Sequence, residues 1–265
     1  MIDKKIAIVI PAHNEENRIE RTLQQYFDFF QEKLKEKRIK DFEIIVVLNA
    51  CKDNTKEVVG KIKGKSKKII ILDFVRGGKG FAVTEGFKDA LKRNNDLIGF
   101  VDADGATGVN AFWDLIINIG QSDGIIASRY SKGAVMKPKQ GIKRRLISRG
   151  GNLYIRTLLF LPFKDTQCGA KIFTKKALSS TIENLGMSQW GFDVEILYKL
   201  KKKGFKVKEH PTYWQDVAGS TLNMKKAGTQ ALLAVTHLRV VHSPFKHLLR
   251  PAKPLIAWVW RKYSK

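Results

Sequence analysis

Leu97-Ile98-Gly99-Phe100-Val101-Asp102-Ala103-Asp104-Gly105 reads as a short apolar strand that ends in two carboxylates one residue apart and a glycine. A run this short and this apolar suits a strand buried on both faces. Carboxylates at the carboxyl end of such a strand stand where α/β sheets bind ligands. Asp102 and Asp104 offer hard oxygen donors of the kind that hold Mg²⁺ or Mn²⁺ beside a phosphorylated substrate. Taken alone, Asp-Ala-Asp-Gly favours a polar turn closing a strand by roughly two to one, so its weight depends on the chain around it.

Outward from that stretch the pattern repeats. Ile6 to Ile10 is a second continuous apolar strand, followed by Pro11-Ala12-His13-Asn14-Glu15-Glu16 and a helix with Ile19, Leu23, Tyr26, Phe27 and Phe30 at helical spacing. Glu43 to Leu48 is a strand ending in the polar loop Asn49 to Thr55. Ile69 to Leu72 is another, leading through Arg76-Gly77-Gly78-Lys79-Gly80 into a helix marked by Val83, Phe87 and Leu91. Gly124 to Ala127 is a fifth strand, ending at Ser128-Arg129. Strand and helix alternate to about residue 128, the signature of a doubly wound α/β sheet. Beyond it, the spacing predicts helices over 192–200 and 227–241 and a short strand over 205–207. The segment 141–163 mixes arginines with Leu146, Ile147, Leu153, Ile155, Leu158, Leu159 and Phe160.

Charge narrows the partners. The chain of 265 residues carries 49 Lys+Arg against 25 Asp+Glu, a net charge of +24. An excess that large implies an anionic partner. It is concentrated: no acid occurs from Gly124 to Lys164, nor after Asp216. No nucleic-acid-binding motif is visible, so nucleic acid is not expected. Trp258, Trp260 and Tyr263 lie among lysines and arginines in the tail, as in an interfacial anchor on an anionic membrane surface. Two cysteines imply no disulfide framework. No apolar run approaches the ~20 residues that span a bilayer, and no signal-peptide pattern opens the chain. The expectation is a peripheral protein on the cytoplasmic face of a membrane. It divides into a catalytic domain over 1–222 and a basic amphipathic extension over 223–265.

Other chemistries fit poorly. The glycine loop at 76–80 has neither Walker A nor dinucleotide spacing, although Lys79 ahead of a helix suits a diphosphate as readily as it makes a mobile turn. No His/Cys cluster has zinc spacing, and no nucleophile elbow appears. Asp193 and Glu195 in Trp190-Gly191-Phe192-Asp193-Val194-Glu195 could carry a reaction or simply complement a helix dipole.

As an ordered set these segments resemble an inverting family 2 glycosyltransferase of GT-A fold. The likeness is to the dolichyl-phosphate sugar synthases, the glucose branch first and the mannose branch next. It is carried by Pro11 to Glu16, Phe100 to Thr107, Ser128-Arg129-Tyr130, Arg144 to Gly150, Asp165-Thr166-Gln167-Cys168-Gly169, Trp190 to Glu195 and Asp216 to Ser220. The resemblance implies a mostly parallel sheet flanked by helices, with C-terminal amphipathic helices on the membrane. It implies a nucleotide diphosphate sugar (UDP-glucose, UDP-N-acetylglucosamine or GDP-mannose) and dolichyl or polyprenyl phosphate as substrates.

Pro11, Ala12, Asn14, Glu15, Asn49 and Asp53 would form the nucleotide pocket by that similarity. Lys79, Asp102, Ala103 and Asp104 would meet the sugar diphosphate, with Mg²⁺ or Mn²⁺ on Asp102 and Asp104. Arg129, Arg144 and Ser148 would bind the acceptor phosphate, and Asp193 would orient the acceptor. Two departures stand out. The family's aspartate pair at the end of the second strand is Leu48-Asn49 here, and a glutamine common in the mannose branch is Ala106. A transferase with a sugar-hydroxyl acceptor, using Asp193 or Glu195 as base, is the second reading; a non-catalytic basic adaptor is the third.

Overall fold

A computed structural model describes residues 2–64, 66–138, 141–185, 191–215 and 224–241. Strands β1 (Ile2–Ala12), β2 (Ile39–Asn49), β3 (Ile69–Phe74), β4 (Leu97–Val101) and β5 (Gly124–Ser128) coincide with the five apolar runs, several extended at their ends. Between them lie α1 (Ile19–Lys35), α2 (Thr55–Lys63), α3 (Lys79–Lys92) and α4 (Val109–Asn118). The second half contributes β6 (Val135–Lys137), α5 (Ile142–Leu159), β7 (Ala170–Thr174), α6 (Lys175–Thr181), α7 (Phe192–Lys202), β8 (Val207–Pro211), β9 (Tyr213–Gln215) and α8 (Met224–Val241).

Seven strands form the central sheet in the order β3-β2-β1-β4-β7-β5-β8. β1 pairs in parallel with β2 and β4, with Ile8 opposite Ile44 on one side and Gly99 on the other. The strand order reverses at β1 and β4, so their carboxyl ends flank the switch-point crevice where such sheets bind ligands. β7 is the exception: it runs antiparallel between β4 and β5, with Val101 opposite Ala170 and Gly99 opposite Ile172. β6 and β9 form a separate two-stranded ribbon, tied to the loop after β4 by a bridge between Thr107 and Trp214.

Alternation along β1 shows how the layers are filled. Ile6, Ile8 and Ile10 point into one buried cluster with Leu23, Tyr26 and Phe30 of α1 and Phe112 of α4. Ala7 and Val9 point into the other, with Val83 and Phe87 of α3 and Val194 and Leu197 of α7. Both faces are covered by helices, which is why the strands read as unbroken apolar runs. Ala234, Val235 and Leu238 of α8 and Ile155 and Leu159 of α5 belong to this second cluster. The expected strand over 205–207 begins two residues later, and α7 is closed by Gly204 at φ +79°. The motif residues Trp190 and Asp216 to Ser220 and the tail from 242 lie outside the described residues.

Candidate active site

The ends of β1 and β2 are braced against one another. Asn49 is buried; its amide donates to the Ala12 carbonyl (2.8 Å), and its side-chain oxygen accepts from the Gly78 amide (3.2 Å). The sequence suggests a residue that can face a base; in the structure one N–H of Asn49 is used on the chain. Asn14, at φ +54°, accepts from the Lys52 amide (2.8 Å), and Ala50 is also left-handed at φ +52°. Two non-glycine residues in that region at one crevice are strain that the surrounding bonds must hold. Asp53 accepts from the Glu16 amide (3.1 Å) and the Thr55 amide (3.1 Å), while the Thr55 hydroxyl donates to Asp53 as well. Burial opposes the charged Asp53 carboxylate, but these bonds outweigh it and lower its pKa. Glu15 takes a two-pronged ion pair from Arg18, at 2.7 and 2.8 Å. Burial still leaves its carboxyl raised, the arginine only partly offsetting it. Pro11 and Ala12 close β1 as buried backbone beside them. These residues build pocket walls out of one another.

The carboxylates of the β4 loop face this crevice. Asp104 accepts from the Ala106 amide (2.9 Å), as a turn residue does. Its carboxyl is nevertheless raised, by burial and by the charge of Asp102. Ala103 between them is buried. Lys79, at the first turn of α3, reaches Asp102 Oδ1 at 2.6 Å. Burial works against the Lys79 ammonium, yet the charges of Asp102 and Asp193 and the bond to Asp102 raise its pKa overall.

β7 adds what the sequence did not reveal. The Gly169 carbonyl accepts from the Asp102 amide (3.1 Å), and a Cβ on Gly169 would stand 2.0 Å from Asp102 Oδ2. Lys171, fully buried, donates to Asp193 Oδ1 (2.6 Å) and to the Cys168 carbonyl (2.6 Å), and lies over the Phe100 ring at 5.3 Å. Asp193 is therefore ion-paired rather than a mere dipole complement. Glu195 pairs with Lys199 one turn on (2.6 Å). Burial, with Asp165 next, pushes the Cys168 thiol up to about 11, so it is a packing residue.

Arg129 is held by Asp165. Its Nε and Nη2 donate to the two carboxylate oxygens at 2.7 and 2.9 Å, and its backbone amide adds a third bond (3.0 Å). Asp165 is fully buried, and burial opposes its charge; Arg129 outweighs that and keeps the carboxyl below its usual range. Arg129 also lies against Tyr130 and Trp214, at 5.4 and 5.6 Å from the ring centres. Ser148 reaches the Tyr130 hydroxyl (2.6 Å), and Arg149 lies over the same ring at 5.7 Å. The structure thus joins Arg129 and Ser148 through Tyr130 and adds Arg149. Arg144 falls in the first turn of α5, and its side chain is outside the described residues. Among the described residues no three His, Cys, Asp or Glu side chains make a metal cage by themselves.

A family model described as glycosyl transferase family 2 matches residues 7–181, which include the carboxyl-terminal half of β1, the β4 carboxylates, Arg129 and β7. The chain belongs to glycosyl transferase family 2. It is a glycosyltransferase by that membership. The dolichyl-phosphate beta-glucosyltransferase of Dictyostelium discoideum is 30% identical to it over 253 residues, 92% of this chain and 75% of that protein. The enzyme of that name from Homo sapiens is 29% identical, over 83% of this chain and 70% of its own length. Glycosyltransferase AglD of Haloferax volcanii is 28% identical over 80% of this chain, which spans 33% of that longer protein. Among solved structures, glucosyl-3-phosphoglycerate synthase from Mycobacterium tuberculosis, in complex with Mn²⁺, UDP and phosphoglyceric acid, superposes with a TM-score of 0.65 at 15% identity. That match covers 89% of this chain and 78% of the other. A mannosyltransferase from Pyrobaculum calidifontis, in complex with GDP-Man and Mn²⁺, gives 0.63 at 15% identity over 94% and 69%. At that identity the likeness is one of fold, and the fold of this family 2 transferase is GT-A.

Proposed function

We propose that this family 2 transferase moves a hexose, glucose in the first instance, from a nucleotide diphosphate sugar to dolichyl or polyprenyl phosphate. The observation that carries the reading is the match, over most of the chain, to dolichyl-phosphate beta-glucosyltransferases. The arginine-rich cluster in the acid-free segment from Gly124 to Lys164 supports it. An acceptor phosphate monoester is largely ionised at neutral pH, its second pKa being about 6, so it can attack without a strong base. Its oxygen forms the bond to the anomeric carbon from the face opposite the leaving group. The C1–O bond to the diphosphate breaks, inverting the centre and releasing the nucleoside diphosphate.

The residues take these roles. Pro11, Ala12, Asn14, Glu15, Asn49 and Asp53 shape the nucleotide pocket. Lys79 lies within reach of the diphosphate at the start of α3, where helix N-terminal amides also favour an anion. Asp102 and Asp104, with Ala103 between, fit Mg²⁺ or Mn²⁺: two hard oxygen donors crowd there, and burial and the charge of Asp102 raise the pKa of Asp104. Such an ion, when bound, neutralises charge on the leaving diphosphate. Asp193, anchored by Lys171, presents its second oxygen to the acceptor. Tyr130, Ser148 and Arg149, with Arg144 beside them in sequence, receive the acceptor phosphate. Arg129 contributes the donors that Asp165 leaves open. Residues 1–222 act as the catalytic unit, with 223–265 as a basic extension toward an anionic membrane surface. Among the described residues no helix is long and apolar enough to cross a membrane.

A sugar-hydroxyl acceptor would need a base, and Asp193 is the residue in place for it. Transfer assays separate the readings. Labelled UDP-glucose, UDP-N-acetylglucosamine and GDP-mannose are offered in turn with dolichyl phosphate and Mg²⁺ or Mn²⁺, and the organic phase is counted. Metal-dependent label from UDP-glucose is expected. No label from any donor, with protein that binds a nucleotide sugar, overturns the lipid-phosphate acceptor.

A further inference from the structure

Helix α5 leaves a stripe of large apolar side chains in water. Leu146, Ile147 and Leu153 are 65%, 71% and 59% exposed, and Phe160 just past the helix end is 69% exposed. Single exposed apolar residues are ordinary on any surface; several on one face mark an interaction site. At 100° per residue, Leu153, Leu146, Thr157, Gly150, Tyr154 and Ile147 fall within an arc of about 120°. The buried positions of α5, Asn152, Ile155 and Leu159, lie on the opposite side, packed on the domain. The stripe therefore faces directly away from the core. The Tyr154 hydroxyl hydrogen-bonds Thr236 of α8 (2.8 Å), where Leu232 is also exposed, so the patch continues onto the neighbouring helix.

Its border is basic. Exposed Arg145 and Arg149 fall by helical spacing on one flank between the stripe and the buried face, and Arg239 stacks on Phe160 at 5.6 Å. No acid occurs between Gly124 and Lys164. An apolar stripe flanked by arginines on a surface helix is the pattern of a helix that lies in the plane of a lipid interface. Nucleic acid would be met by the arginines alone and gives the leucines no role.

We propose that the outer face of α5 is the surface by which this transferase lies on an anionic bilayer, with Leu146, Ile147 and Leu153 inserted among the lipid chains and the flanking arginines on the headgroups. This deepens the acceptor reading above and rests on it for its purpose. Ser148 and Arg149 are on the same helix and touch Tyr130, so docking brings the acceptor-phosphate cluster to the membrane surface.

The test uses the full chain and a triple variant, Leu146→Ser with Ile147→Ser and Leu153→Ser. Co-flotation is measured with phosphatidylcholine vesicles with and without phosphatidylserine, alongside thermal melting and transfer to a short, water-soluble isoprenyl phosphate. Wild-type protein should float with the anionic vesicles. The triple variant should lose at least about 100-fold in vesicle affinity, given the transfer free energy of three such side chains. It should melt as wild type does and keep transfer to the short acceptor. Arg145→Gln alone should weaken anionic-vesicle binding about fivefold. A triple variant that floats like wild type overturns the proposal, whether the tail beyond 241 or another face does the binding. So does a wild-type dimer that the triple variant dissolves while its flotation is unchanged. If wild type transfers nothing to the short acceptor and yet loses flotation in the triple variant, the docking surface stands and the acceptor reading fails.

Discussion

Gly169→Ala isolates how β7 sets the geometry of Asp102. The backbone of Gly169 is not left-handed, so alanine is allowed there by conformation and the effect is purely one of space. Its Cβ would sit 2.0 Å from Asp102 Oδ2 and 2.5 Å from Cγ. Non-bonded carbon and oxygen do not approach within about 3 Å, so the carboxylate must retreat by about 1 Å or the strands must part. Asp is short, and the retreat rotates its carboxylate away from Lys79, with which Oδ1 now pairs at 2.6 Å. Overpacking of this kind costs about 1–3 kcal/mol, a few degrees in melting temperature for a domain of this size. A misplacement of about 1 Å at a reacting centre costs on the order of 100-fold in rate. The assay is steady-state transfer at saturating donor, with circular dichroism melting and the metal dependence of kcat. The expected result is a loss near 100-fold in kcat with a folded protein and a raised metal requirement. Gly150→Ala is the matched control, since no atom lies within 4 Å of a Cβ there. A Gly169→Ala enzyme within about twofold of wild-type kcat, with unchanged metal dependence, refutes the reasoning.

Gly150→Ala should itself stabilise by up to about 1 kcal/mol, because alanine costs less than glycine in an exposed helix; denaturant titration measures it. Arg129→Ala should be a stability variant before it is a catalytic one: it leaves Asp165 buried and unpaired, at a cost of about 3–5 kcal/mol in chemical denaturation. The sign with pH follows. Wild-type Asp165 has its native pKa below the unfolded value, so its contribution is present above about pH 4 and fades as pH falls through the native pKa. Without Arg129, burial raises that pKa instead. The gap in melting temperature between variant and wild type should then widen from acid to neutral pH; a constant gap would count against it. Lys171→Met should strand Asp193 in the same way and depress kcat. Lys171→Arg should recover part of the melting loss but less of the kcat, because a planar guanidinium does not reproduce the compact ammonium's bonds to both Asp193 and the Cys168 carbonyl.

Much of the frame is legible from periodicity. β1 to β5 coincide with apolar runs because a strand covered on both faces carries no alternation to misread, and each run is punctuated by polar residues. Asp102, Asp104 and Lys79 could be picked out because they directly follow a strand or begin a helix. Motif order assigns Arg129, Ser148 and Asp193 to a site by resemblance, and the fold supplies their partners Asp165, Tyr130 and Lys171. Lys171 escaped notice: a lysine inside a short apolar strand looks like a solvent-facing position when the partner carboxylate is 22 residues away. Asn49 also needed the fold, since only it shows that the side chain bridges the Ala12 carbonyl and the Gly78 amide.

The sequence by itself determined the α/β alternation, the positions of the β1 and β4 ends and the concentration of positive charge in an acid-free segment. These follow from local spacing, which a helix or strand reads directly. Tertiary structure decided the antiparallel insertion of β7 between β4 and β5, and with it the approach of Gly169 to Asp102 and of Lys171 to Asp193. It also decided that Arg129 is held by Asp165, and that the apolar stripe of α5 faces outward while Ile155 and Leu159 face in. Each of these depends on which distant surface covers a residue, and burial and ion pairing are set by packing across the chain rather than by neighbours along it.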